Sequence, residues 1–80
     1  MAHFIPVDSQ MQHGISTPLS IVSLQGYVQG FVKFVNLPNG DCMAVHENSD
    51  DYAEVNRTAS ALAGQAICGP AVLFHPGELE

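Results

Sequence analysis

The residues best suited to chemistry lie in the stretch "EVNRTAS", which contains Arg57, one of only two basic residues in the chain. Asn56 is a good N-cap for a helix that begins beside this arginine. A helix N-terminus presents backbone N–H groups with partial positive charge, and a guanidinium beside them can hold an anion in a forked hydrogen bond. We therefore predict that Arg57 and Asn56, with the hydroxyl of Thr58, bind a small anionic, nucleotide-like ligand. Tyr52 and Glu47 complete this candidate site.

The same arginine also has a purely structural interpretation. A cation is disfavoured at the N-terminal end of a helix, so a nearby carboxylate should compensate Arg57. The acidic stretch before the helix offers four partners: Glu47, Asp50, Asp51 and Glu54. Surface ion pairs of this kind are common and contribute little stability. Both interpretations remain open at this point.

Metal binding and catalysis have little support in the sequence. Four histidines, His3, His13, His46 and His75, are scattered along the chain. Cys42 and His46 fall on one face of a predicted strand, but a zinc site needs three or four ligands. No nucleophile lies in a recognisable elbow or at a helix start, and the glycines are too far apart for a phosphate-binding loop. We predict no metal, no cofactor and no enzymatic activity.

The composition of the chain limits the kinds of partner that the protein can bind. The net charge is −6, and Lys33 and Arg57 are the only basic residues, too few to neutralise a run of phosphates. Charged residues make up 12% of the chain and apolar residues 46%, whereas ordinary globular domains are about 25% charged. So few charges can hardly cover the surface of such a small monomer. The sequence therefore predicts a homo-oligomer that does not bind nucleic acid.

The remaining composition predicts a cytoplasmic protein. The N-terminus lacks a basic region followed by an apolar run, and no apolar stretch approaches the ~20 residues that span a bilayer. Cys42 and Cys68 lie in apolar runs, where a free cysteine behaves as a small hydrophobic residue. We expect one domain over residues 1–80, with no membrane association.

The first predicted helix follows a clear start signal in "STPLSIVSLQGYVQG". Thr17 is a suitable N-cap and Pro18 fits the first helical position, where its missing N–H costs nothing. Apolar residues then recur at helical spacing. Gly30 is placed to end the helix in the left-handed conformation.

The second predicted helix has two possible starts. In the shorter version Asn56 is the N-cap and Gly64 follows the C-terminus. In the longer version the helix begins at Asp51, and Glu54 completes a capping box.

Strands account for the rest of the pattern. "AHFIPV" is typical of an edge strand broken by proline, and Asp8–Ser16 is predicted to be a loop. Asn39-Gly40 between "FVKFVNL" and "DCMAVHE" predicts a β-hairpin. "QAICGPAVLF" predicts a buried strand with a bulge or kink at Gly69-Pro70. The β-α-β-β-α-β order indicates an α+β domain, in which a largely antiparallel sheet carries both helices on one face.

Residues 19–74 resemble a family of small proteins of phages, plasmids and bacteria, a domain of unknown function. Its pattern is a helix ending in V-G-G-Y-I-E, a hairpin, an N-E-x-G turn, an N-R-x-A motif and a closing I-V-G strand. The matching positions here are Val28, Gly30, Phe31, Glu47, Asn56, Arg57, Ala59, Ile67, Cys68 and Gly69. The chain departs from the pattern at three positions: His46 stands in place of the usual asparagine, and Gln29 and Lys33 replace the typical glycine and acidic neighbours.

The resemblance implies an accessory protein of a phage or mobile element. Small proteins of this kind act by stoichiometric binding. We therefore expect a homo-oligomer that sequesters its anionic ligand in the host cytoplasm. The alternative is an inhibitor or adaptor that presents an apolar, acidic surface to a host protein.

Overall fold

An antiparallel sheet forms the centre of the protein. The computed structural model describes residues 2–7, 13–15, 19–48 and 54–79. These residues form five strands: β1 Ala2–Ile5, β2 His13–Ile15, β3 Val32–Asn36, β4 Cys42–His46 and β5 Ala71–Phe74. They also form helices α1 Ile21–Val28 and α2 Arg57–Ala63, and a short 3-10 helix, Pro76–Glu78. The strand order is β2-β1-β5-β4-β3, with β3 at one edge, and the predicted α+β fold is confirmed.

Strand β2 lies where the sequence predicts a loop. Its three residues lack the alternation that marks a strand, but they pair with β1 in the register Ala2↔Ile15. This pairing buries Ile15, and tertiary pairing of this kind overrides weak local propensity. The remainder of the predicted loop, residues 8–12 and 16, lies outside the described residues.

The two helices pack on opposite faces of the sheet, so the prediction that they share one face is wrong. Leu24 of α1 packs with Ala44 and Val72, whereas Ala59 of α2 packs in a second cluster with Met43. The physical reason is that the central strands are apolar on both sides. Met43, Ala44, Val45, Ala71 and Val72 are all fully buried. Each face of the sheet must therefore be covered by a helix.

Helix α1 is closed at both ends by polar residues. The side chain of Ser20 accepts a hydrogen bond from the Ser23 N–H at 3.2 Å, and the Ser23 hydroxyl oxygen accepts one from the Ser20 N–H at 2.8 Å. The predicted cap at Thr17-Pro18 lies outside the described residues. At the other end Gln29, not Gly30, adopts the left-handed conformation, with φ 64°.

Helix α2 follows the shorter of the two predicted versions. Asn56 is its N-cap, and the side-chain oxygen accepts a hydrogen bond from the Ala59 N–H at 3.0 Å. Gly64 follows the helix with φ 71°. Glu54 and Val55 are not helical. The capping prediction is confirmed, and the start at Asp51 is not what the structure shows.

The β3–β4 hairpin is also confirmed. Its register runs from Val32↔His46 to Asn36↔Cys42. In the connecting turn the Gly40 N–H donates to the Leu37 carbonyl at 3.1 Å. Gly40 has φ 92°, a conformation that glycine adopts without strain.

The predicted kink in the last apolar run is present, because Gly69 has φ 79° and β5 begins only at Ala71. Within the described ranges no helix is long and apolar enough to cross a membrane.

Candidate functional site

Asn56 connects α2 to the rest of the molecule. Its side chain is fully buried. The side-chain amide donates to the carbonyls of Ile5 at 2.9 Å and Gly69 at 3.0 Å, and its oxygen caps α2. Its backbone N–H donates to the Ile67 carbonyl at 2.8 Å. Both amide protons and the oxygen are thus used inside the fold, so Asn56 can position a ligand site but has no exposed group to offer a ligand.

Arg57 is the first residue of α2 and points its side chain into solvent. It is exposed, and Thr58 beside it is half-buried. Of the four carboxylates expected to compete for it, Glu47 and Glu54 fall in the described part of the chain, where both are exposed and neither forms an ion pair with Arg57. The other two, Asp50 and Asp51, lie outside the described residues, as does Tyr52.

Glu47 lies in the turn that follows β4. Its backbone N–H donates to the Phe31 carbonyl at 2.8 Å, which extends the hairpin by one residue pair. Its carboxylate is exposed to solvent. Of the five predicted site residues, the structure places Asn56, Arg57 and Thr58 together at the start of α2 and Glu47 at the end of the hairpin.

The structure also contains an open cleft that the sequence did not indicate. Its volume is about 520 Å³, and it is lined by His3, Asp41, Leu73, Phe74, His75 and Glu78. Because Asn56 contacts Ile5 and Gly69, the start of α2 lies near the beginning of β5. The cleft lies at the other end of that strand, so Arg57 is not among the residues that line it.

The strand registers explain how these distant residues meet. His3 pairs with Leu73, and Cys42 pairs with Phe74. Extending the second register by one residue places Asp41 beside His75. The only local signal in the sequence is the presence of His75 just after an apolar run, which is too weak to predict a site.

Hydrogen bonds fix the 3-10 helix at the rim of the cleft. The His75 N–H donates to the Glu78 carboxylate at 2.9 Å, and this hydrogen bond lowers the pKa of Glu78 from its ordinary value of 4.5. The Nδ1 atom of His75 accepts from the Gly77 N–H at 3.2 Å. The neutral ring therefore carries its proton on Nε2.

The charges around the cleft do not match those of an anion site. Asp41 and Glu78 are carboxylates, and the Nδ1 atom of His3 is buried without a hydrogen-bond partner in the described structure. Among the described residues no three His, Cys, Asp or Glu side chains converge in a way that could hold a metal ion. The cleft therefore does not replace Arg57 as the candidate anion site.

A second surface feature is the number of large apolar side chains that contact water. Val22 is 77% exposed and Phe31 66% exposed, and Ile21, Phe34, Val55 and Leu62 are exposed as well. Singly exposed apolar residues are ordinary on protein surfaces. These six residues are distributed over α1, the region of β3 and the region of α2.

Comparison of the chain with protein-family models, with curated proteins and with solved structures found no match.

Proposed function

We propose that this chain is a non-enzymatic accessory binding protein of a phage or mobile element. It acts in the host cytoplasm as a homo-oligomer that sequesters a small anionic, nucleotide-like ligand at Arg57. The observation that carries the proposal is the exposed guanidinium of Arg57, which forms no ion pair with either of the neighbouring carboxylates in the described structure. A planar guanidinium without a carboxylate partner suits a phosphate, because two of its N–H groups can donate to the same group.

The other predicted site residues divide into two roles. Asn56 holds the start of α2 in place through hydrogen bonds within the fold. Arg57 supplies the charge and Thr58 a hydroxyl at the next position. Glu47 and Tyr52 belong to the rim of the site in this proposal, and a second subunit closes it.

The resemblance to the phage and plasmid family supports the accessory role, and the exposed apolar residues support the homo-oligomer. The same apolar residues favour a second function, an inhibitor or adaptor that binds a host protein. The two functions differ in which surface they need. The first depends on Arg57, whereas the second depends on the apolar residues and on the acidic stretch Asp50–Glu54.

Native mass spectrometry with a panel of nucleotides and cyclic dinucleotides tests the proposal. We expect the wild-type oligomer to retain a small anionic ligand and Arg57→Ala to lose it while keeping its assembly. Lys33→Ala is the matched control, because it removes the only other lysine or arginine and should leave binding unchanged.

Three results would contradict ligand sequestration. Equal loss of binding in Lys33→Ala would indicate general charge attraction. Unfolding of Arg57→Ala would assign the arginine to a structural ion pair. Absence of any retained ligand, together with loss of host-protein capture on charge reversal of Asp50–Glu54, would favour the adaptor.

A further inference from the structure

Strand β3 lies at one edge of the sheet, and its hydrogen-bonding pattern is defined by its pairing with β4. Its neighbour on one side is β4, and no described strand lies on its other side. The Phe31 carbonyl accepts from Glu47, and the Leu37 N–H donates to the Asp41 carbonyl at 2.9 Å. Hydrogen-bonded pairs alternate along an antiparallel ladder. Residues 31, 33, 35 and 37 therefore point their backbone groups toward β4, whereas Val32, Phe34 and Asn36 point theirs to the open edge.

We propose that this edge pairs with the same edge of a second copy, antiparallel and centred on Phe34. The two sheets then form one continuous sheet across a two-fold axis. This inference rests on the homo-oligomer of the proposed function, and it names the surface that forms it.

Backbone geometry selects this register. With Phe34 opposite Phe34 of the second copy, Val32 of each chain lies opposite Asn36 of the other. Each residue whose backbone groups point to the open edge is then opposite another such residue of the second copy. These three pairs form six backbone hydrogen bonds across the interface. Moving the centre to Lys33 or Val35 leaves only two such pairs within the strands.

Side chains select the same register. Centring on Lys33 would place two ammonium groups directly opposite each other, and like charges in that position are destabilising. Centring on Phe34 instead places Lys33 opposite Val35 and brings two Phe34 rings together. Phe34 is 45% exposed and already contacts Phe74, with ring centroids 6.0 Å apart. Phe31, which is 66% exposed, then lies opposite Leu37 of the other copy.

The β3 edge is better suited to self-pairing than the opposite edge of the sheet. Strand β2 at that edge has three described residues, one of them Gly14, whereas β3 has five and no glycine or proline. Natural proteins protect exposed edges with charges. Lys33 is the single charged residue on β3, and in the register centred on Phe34 it does not lie opposite Lys33 of the second copy.

Sedimentation of three proteins tests the surface. We expect the wild type to dimerise or to form a larger assembly built from dimers. Phe34→Glu should raise the dimer dissociation constant about tenfold or more, because it removes the aromatic pair and opposes two carboxylates. Leu62→Glu is the matched control: Leu62 is an exposed apolar residue of α2, 40% accessible, and its replacement should leave the dissociation constant unchanged. Circular dichroism confirms that both variants fold.

Disulfide cross-linking tests the register independently of Phe34→Glu. In a background with Cys42→Ala and Cys68→Ala, Lys33→Cys and Val35→Cys are prepared separately. Positions 33 and 35 form a pair without backbone hydrogen bonds in this register, with Cα atoms about 4.5 Å apart, close enough for a disulfide. The mixture of the two proteins should therefore cross-link on oxidation, and neither protein alone should do so.

The outcomes distinguish a failure of the β3 pairing from a failure of the homo-oligomer. If the wild type assembles but Phe34→Glu does not weaken it and the mixture does not cross-link, the β3 pairing is wrong and the homo-oligomer stands. If Lys33→Cys or Val35→Cys cross-links alone, the register is wrong. If the wild type is monomeric at every concentration, the homo-oligomer of the proposed function fails, and the β3 pairing fails with it.

Discussion

At the scale of single residues, Asn56 shows how one side chain can serve both a local and a long-range purpose. Its role as N-cap of α2 could be predicted from sequence, because capping depends on residue type and on the next three positions. Its bonds to Ile5 and Gly69 could not be predicted, since these partners are 51 and 13 residues away. The same side chain was a candidate ligand contact, and only the fold shows that its polar atoms are already in use.

Replacing Asn56 with alanine should strongly destabilise the protein. Asn56→Ala removes the cap of α2 and the hydrogen bonds that the Asn56 amide donates to the carbonyls of Ile5 and Gly69. We expect the free energy of unfolding to fall by about 2–4 kcal/mol, measured by urea denaturation. Asn39→Ala is the control, because Asn39 makes its hydrogen bonds in an exposed turn. A loss of equal size in both variants would contradict the central role of Asn56.

Two glycines near each other in sequence should respond to alanine with opposite signs. A Cβ at Gly30 would overlap Nε2 of His46 and lie 2.7 Å from its Cδ2, so the ring must move, which disturbs the hydrogen bond that its Nδ1 atom accepts from the Asn48 N–H. We expect Gly30→Ala to lower the melting temperature, with a loss of about 1 kcal/mol. Gly26 lies in α1 with open space around it. Gly26→Ala should therefore raise the melting temperature through better helix propensity, by about 0.5–1 kcal/mol.

At the scale of elements, the end of α1 is where the sequence misleads. Gly30 is the residue type expected in a left-handed cap, but the helix ends one residue earlier and Gln29 takes that conformation. Gly30 has a different reason to be small, since it packs against His46.

Gln29→Gly should stabilise the protein. A side chain in the left-handed region strains the backbone, and glycine relieves that strain. We expect a gain of about 0.5–1 kcal/mol in the free energy of unfolding, measured by urea denaturation. Gly64→Ala is the mirror test at the end of α2, where φ is 71°, and it should destabilise by a similar amount. A neutral result for both variants would show that neither helix end is held in this conformation in solution.

The other elements could be predicted from the sequence only where the residues that specify them are adjacent in the chain. The hairpin and α2 were predictable because a turn and a cap are specified by adjacent residues. Strand β2 was not, since it exists only through its pairing with β1. The sequence-based prediction put both helices on one face of the sheet. Neither hairpin strand has a clearly polar side, however, and this pattern favours a sheet that is covered on both faces. Because these strands are apolar on both sides, Met43 and Val45 are buried on one side of the sheet and Ala44 is buried on the other.

At the scale of the whole molecule, negative charge predominates. The chain carries a net charge of −6, and in the described part of the structure the exposed Arg57 forms no ion pair with Glu47 or Glu54. The cleft at the far end of β5 combines His3, Asp41, His75 and Glu78. No local pattern could predict this grouping, because it is assembled from β1, the hairpin turn and the C-terminal side of β5. By contrast, Asn56, Arg57 and Thr58 were predictable as a group because they are consecutive.

The pKa of Glu78 predicts a loss of stability in acid. Its folded pKa lies below 4.5 because the His75 N–H donates to the carboxylate. The unfolded chain therefore takes up this proton first as the pH falls. The stabilisation is complete above the unfolded pKa and is lost as the pH falls through the lower folded pKa. Melting temperatures of wild type and Glu78→Gln should differ at pH 6, and the difference should shrink as the pH falls below 4.5. A difference independent of pH would contradict this.

The position of β5 between β1 and β4 has a consequence for how the chain folds during synthesis. The hairpin and α1 are built from contacts between residues close in the sequence. Strand β1 can pair early with β2, but it must wait for its other neighbour, β5, which is the last of the described strands to be made. Until then the β1–β2 pair cannot join the rest of the sheet, and the cap of α2 lacks its bond to Ile5. We expect folding to be slower than the small size suggests, because these contacts close a long loop.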